Sequence, residues 1–191
     1  MTKEFFDRLP ECVKAQLSKP LTALYDYLPT RKQATEREWK VRRFVWKFKD
    51  GDPTATQFAA ETVAKNIIKK YGNTVKDLTF VCVPASSREA NLKRYKDFSN
   101  KVCEITGMKN GFSAVSVSGA KLAIHEQHKG EKKFFSTQTV EIRKKMIQSS
   151  KVILFDDIIT KGMSYAKFAA TLESAGASVI GGIFLAKTIC C

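Results

Sequence analysis

The stretch Val152-Ile153-Leu154-Phe155-Asp156-Asp157-Ile158-Ile159-Thr160-Lys161-Gly162-Met163-Ser164 constrains the fold of this chain more than any other segment. Val152 to Phe155 is a continuous apolar run with β-branched members, bounded by Lys151 and by the polar turn that follows, as suits a strand covered on both faces. After the loop, Phe168, Leu172 and Ala175 recur at spacings of four and three, with Ala166, Ala169 and Ala170 between them. This is a helical period made of strong helix formers, and Gly176 supplies its stop. Val179, Ile180, Ile183, Phe184 and Leu185 form a further apolar run. Residues 151 to 185 therefore read as strand, loop, helix and strand of a parallel sheet, in which ligands collect at the carboxyl ends of strands.

The loop chemistry follows from residue types. Thr160 and Ser164 offer hydroxyls, Gly162 permits a positive φ or close backbone approach, and the next helix presents unpaired amides, so a phosphate belongs at residues 160 to 164. Asp156 and Asp157 would repel that phosphate on direct contact. At a strand tip they can instead accept hydrogen bonds from sugar hydroxyls or hold a hydrated divalent cation. The plainer alternative is that the acid pair opens a turn and Thr160 caps a helix. A second apolar strand, Val81-Cys82-Val83, empties into Pro84-Ala85-Ser86-Ser87-Arg88, where hydroxyls, a guanidinium and a helix start near Ser87 can gather around an anion. An ordinary strand-to-helix connection is the alternative there.

The segment Asp156 to Ser164 resembles the phosphoribosyl-pyrophosphate loop of type I phosphoribosyltransferases, whose usual form is an apolar strand followed by Asp-Asp-Val-X-Thr-Thr-Gly-X-Thr. Lys161 stands where Thr is commoner, and it can favour the phosphate electrostatically or point to solvent. Ser86, Ser87 and Arg88 resemble the pyrophosphate loop of the competence-factor-like (ComF-like) members related to amidophosphoribosyltransferases. Asn91, Lys93 and Arg94 continue that likeness, with Arg94 matching the arginine of an Arg-Gly-Phe-Asn-Gln run whose Gly and Asn-Gln this chain lacks. Trp39 to Asp52 resembles the segment just before the core of the same subfamily, so the likeness spans about residues 37 to 188.

The resemblance implies an α/β fold with a mainly parallel central sheet flanked by helices and a small N-terminal cover. It implies a magnesium-dependent pentosyltransferase that moves ribose 5-phosphate from phosphoribosyl pyrophosphate to a nitrogen acceptor, whose identity no signature in the chain specifies. Within that reading Asp156, Asp157 and Arg88 are catalytic, and Asp156 and Asp157 contact Mg2+. Ser86, Ser87, Arg94, Thr160, Lys161, Gly162, Met163 and Ser164 join the two acids in binding substrate. The competing class is a nucleic-acid-associated or DNA-uptake protein that keeps the fold for binding or regulation.

Composition agrees with one domain over residues 1–191: 43% of the residues are hydrophobic and 27% charged, ordinary for a globular chain. Residues 1–50 read as a cover, because Pro10, Pro20 and Pro29 limit residues 1 to 38 to short helical pieces. Within it Val41, Phe44, Val45 and Phe48 make an apolar stripe. Arg42, Arg43, Lys47 and Lys49 fall largely on the surface, with Lys47 expected to reach inward if any of them does, and Trp39 and Trp46 are expected in core or interface. Thr54 to Tyr71 reads as a helix, Leu78 to Val83 as a strand, Tyr95 to Ile105 as a helix ending at Gly107, and residues 112 to 117 as the next strand. Residues 118–138 are polar and irregular, a flexible loop from which Lys121, His125, His128 and Lys129 can visit the site.

The charge of +14 favours an anionic substrate and can also attract nucleic acid. The cysteines, Cys12, Cys82, Cys103, Cys190 and Cys191, form no Cys-X-X-Cys pair and no counterpart to the four-cysteine zinc module of competence-factor-like proteins. With no apolar 18-residue span and no secretory start, a cytoplasmic protein without membrane association is expected. The apolar terminal segment and the basic aromatic helix are the material for a homodimer interface.

Overall fold

The structure is a computed structural model that describes residues 6–119, 121–124, 133–136 and 138–189. Among these, a parallel sheet runs in the order β1 (Leu21–Tyr27), β9 (Ser178–Thr188), β8 (Lys151–Ile159), β2 (Leu78–Cys82) and β3 (Lys109–Asn110). Helices α2 (Glu36–Lys49), α3 (Pro53–Tyr71) and α4 (Arg88–Thr106) cover one face, while α1 (Glu11–Leu17) and α6 (Met163–Ser174) cover the other. A one-turn helix, α5 (Lys144–Ile147), leads into β8. From β2 the chain winds outward to β3, and from β8 it winds the opposite way to β9. The order thus reverses between β2 and β8, which opens a crevice at their carboxyl ends.

Three expectations are corrected. Residues 21–27 are a strand and not a helical cover: β1 pairs with β9 from Leu21 opposite Gly182 to Tyr27 opposite Thr188, so the amino-terminal segment is part of the sheet. Residues 112–114 form a 3-10 turn, and β4 (Val115–Ser118) leaves the central sheet to pair antiparallel with β7 (Thr139–Ile142). Within the segment expected to be irregular, the backbones of β5 (Lys121–Ile124) and β6 (Lys133–Ser136) also pair antiparallel. His125, His128 and Lys129 lie outside the described residues, as does the side chain of Lys121.

The sheet is held from both sides by side chains of the expected periods. On α3, Ala59, Ala60, Val63, Ala64 and Ile67 are buried, and small residues on that stripe let the helix lie close to the strands. Phe155, the residue before the acid pair, is fully buried, with Phe98 at 4.5 Å, Phe48 at 5.9 Å, Phe80 at 6.0 Å and Tyr95 at 6.2 Å between ring centroids. Burial of such a ring contributes roughly 1.5–3 kcal/mol and each aromatic pair about 0.5–1.5 kcal/mol more. The strand that carries the acids is therefore fixed immediately before them.

Helix starts differ in a way that matters for the site. Thr35 and Glu38 form a reciprocal capping box on α2, Asp52 accepts from the amide of Ala55 on α3, and Ser87 accepts from the amide of Ala90 on α4. Helix α6 instead begins at Gly162, in the left-handed region at φ 72°, with no side chain capping its first turn. Its leading amides stay directed at the loop.

Candidate functional site

Strand β8 continues past Phe155 to Ile159, so the acids lie in the strand itself and the loop starts at Thr160. A cavity of about 320 Å³ at this point is lined by Asp156, Ile158, Ile159, Thr160, Lys161, Gly162, Met163, Ser164, Tyr165 and Phe184. The structure thus brings Asp156 and the whole 160–164 loop onto one cavity. Thr160 is tied to the end of β9 by a hydroxyl contact of 2.7 Å with Thr188. The positive φ at Gly162 calls for glycine, and a Cβ there would also stand 2.7 Å from the Leu17 Cδ2 methyl, which would have to move aside.

The two acids have different surroundings. Asp157 is buried, and it accepts from Arg94 Nη1 at 2.6 Å and is paired with Lys49 Nζ at 3.4 Å. Arg94 also donates Nε to the Lys49 carbonyl at 3.4 Å, so one guanidinium holds both the end of α2 and the acid. Asp156 is partly open to the cavity and accepts from the Asp157 amide at 2.9 Å. Burial, and then the neighbouring charge of Asp157, push its carboxyl up to about 7, while the Asp157 amide, Lys49 and Arg94 pull the other way. Burial raises the Tyr95 phenol well above its ordinary value, with Asp157 and Asp156 adding to it.

The second loop is placed partly as expected. The Val83 amide donates to the Phe155 carbonyl at 2.8 Å, which sets the 83–87 segment beside the acid pair. Val83, Pro84, Met163, Ser164 and Lys167 share a neighbouring hollow of about 360 Å³. Ser86 is exposed, and the Ser87 hydroxyl is engaged as the α4 cap. Arg88, however, does not line the Asp156 cavity. As the first residue of α4 it turns to a separate hollow of about 390 Å³ with Asn91, Phe112, Ser116, Glu141 and Arg143.

Arg94, expected to bind substrate, is engaged by Asp157 and does not line the Asp156 cavity, and the basic residue of α2 that reaches inward is not the expected one. Lys47 is exposed, and Lys49, two positions on, reaches Asp157. Arg42, expected on the surface, is buried and donates to three backbone carbonyls. Helical position alone separates Lys47 from Lys49 by about 200° around the axis, a signal that was readable from Val45 and Phe48 marking the inner face.

Among the described residues no group of three His, Cys, Asp or Glu side chains converges as a metal site, and no helix is long and apolar enough to cross a membrane. No protein-family model and no curated protein matches the chain.

Proposed function

We propose that the chain is a phosphoribosyltransferase that binds phosphoribosyl pyrophosphate with magnesium and transfers its ribose 5-phosphate to a nitrogen acceptor. The observation that carries this reading is the single cavity on which Asp156, the loop 160–164 and the uncapped start of α6 converge. The 5′-phosphate lies against the amides at Met163 and Ser164, where unpaired N–H groups and the helix dipole favour an anion. Asp156 accepts from the ribose hydroxyls. Pyrophosphate extends toward the crevice between β8 and β2, where Ser86 and the backbone of residues 83–87 face it.

Asp156 and Asp157 were both candidates for contact with the cation, and the contact narrows to Asp156, because Asp157 is committed to Arg94 and Lys49. One carboxylate fits a magnesium ion that arrives held by the donor's own phosphate oxygens, since this ion keeps much of its coordination from substrate and water. When bound, magnesium supplies charge neutralisation for the departing pyrophosphate. Asp157, Arg94 and Lys49 act as a positioning group: the salt bridges fix the backbone that carries Asp156. As the bond from C1′ to pyrophosphate breaks and the acceptor nitrogen bonds to C1′, positive charge on the ring is met by the nearby carboxylate.

The test is pyrophosphate release from phosphoribosyl pyrophosphate, with magnesium, over a panel of nucleobases, amines and ammonia. Acceptor-dependent release that disappears in Asp156→Asn is expected. Failure of the donor to bind at any magnesium concentration would end this reading.

A further inference from the structure

The outer face of α2 carries a second organised surface, and it does not depend on the donor cavity. At 3.6 residues per turn, Trp39 and Trp46 fall in one row along the helix, and Lys40, Arg43 and Lys47 fall in the row beside it. All of these side chains are exposed. The indoles are 39% and 37% exposed, so each offers apolar area to water although the sheet behind them is fully packed.

Both rings are nevertheless held in place. They meet edge to face, with centroids 6.0 Å apart. Trp39 lies against the Arg42 guanidinium at 4.8 Å, and Arg42 is itself fixed by donating to the carbonyls of Leu28 at 2.8 Å, Pro29 at 2.6 Å and Lys32 at 2.8 Å. Trp46 donates Nε1 to the Tyr27 hydroxyl at 3.1 Å. A ring immobilised before binding loses little conformational entropy when a ligand stacks on it.

Charge decides what kind of ligand that is. Two acids share this face: Glu36 is paired with Lys40 at 3.3 Å, and Asp50 stands one turn beyond Lys47 at the end of the helix, so Arg43 and Lys47 carry the cationic character of the strip. A second copy docked through a two-fold axis would set the row of Arg43 and Lys47 against the same cationic row of its mate, on a chain of charge +14. The surface needs a partner that is polyanionic and also carries flat apolar faces. We propose that Trp39, Lys40, Arg43, Trp46 and Lys47 form a binding strip for single-stranded nucleic acid, without sequence preference, with bases stacking on the indole row and phosphates following the cationic row. A duplex keeps its base faces inside its own stack and satisfies only the cations.

The chain contains two tryptophans, both in this strip, so its indole emission reports on this surface alone. Titration with an oligothymidylate of about 15 nucleotides at about 50 mM salt is expected to quench that emission saturably. Anisotropy of the labelled oligonucleotide is expected to show at least tenfold weaker binding to Trp39→Ala/Trp46→Ala, with an unchanged circular dichroism spectrum. Because that variant can lose packing, Arg43→Gln/Lys47→Gln provides a second reading: it keeps both rings, and its salt slope is expected to fall by about 1.4 from two lost phosphate contacts. Absence of quenching, equal affinity after removal of both indoles in a folded variant, or equal affinity for the matching duplex would each overturn the proposal. Displacement of the oligonucleotide by polyglutamate at equal charge concentration would do so too, by assigning the strip to acidic proteins.

Discussion

Neighbouring carboxylates in β8 do different work because their environments differ. Asp156, pushed up to about 7 by burial and by Asp157, stays protonated in the folded chain over a range where an unfolded aspartate, near 3.9, has released its proton. Stability therefore falls as pH rises from about 4 to about 7 and stays at its lower level above that window. Asp156→Asn removes this penalty. In urea melts it is expected to stabilise the free protein by about 2–4 kcal/mol at pH 8 and to be neutral at pH 4, while abolishing transfer. Equal midpoint shifts at both pH values would contradict the assignment. Asp157 depends on its cations instead. Arg94→Met leaves a buried carboxylate with only Lys49 at 3.4 Å, a loss of about 3 kcal/mol. Adding Asp157→Asn should recover part of that loss, and a double-mutant cycle measures the coupling.

At the scale of elements, the β8 loop and the start of α6 work as one piece. Gly162→Ala introduces a Cβ at φ 72° and 2.7 Å from Leu17 Cδ2. The backbone conformation costs about 1–2 kcal/mol, and Leu17 has to shift as well. Thermal melts should show that loss, and donor affinity should fall further than stability alone explains, because the first amides of α6 are displaced. This unit was legible from residues 151 to 185, since an apolar strand, a glycine loop and an alanine-rich helix each carry a local period. Strand β1 was not. Leu21-Thr-Ala-Leu-Tyr-Asp-Tyr27 lies between prolines with a half-buried pattern, and what makes it a strand is its register with β9, far along the chain. Arg94 finding Asp157 across 63 residues is of the same kind. Arg42 was misread because its acceptors are carbonyls of the 28–32 loop, which no pattern of side chains announces.

For the molecule as a whole, the reversal of strand order between β2 and β8 puts two loops at one crevice, in a chain whose net charge is +14. A donor carrying several phosphate charges is drawn to such a chain, so stopped-flow association should slow as ionic strength rises, with a smaller effect on dissociation. The charge was readable from composition. Its partition between the crevice and the outer face of α2 was not, because that depends on which side of each helix meets the sheet.

The most direct measurement is a crystal structure of the protein with phosphoribosyl pyrophosphate and magnesium. The account predicts the 5′-phosphate at the amides of Met163 and Ser164, the ribose hydroxyls at Asp156, and Asp157 still paired with Arg94. A donor bound elsewhere, or a cavity still empty at saturating donor, would contradict it.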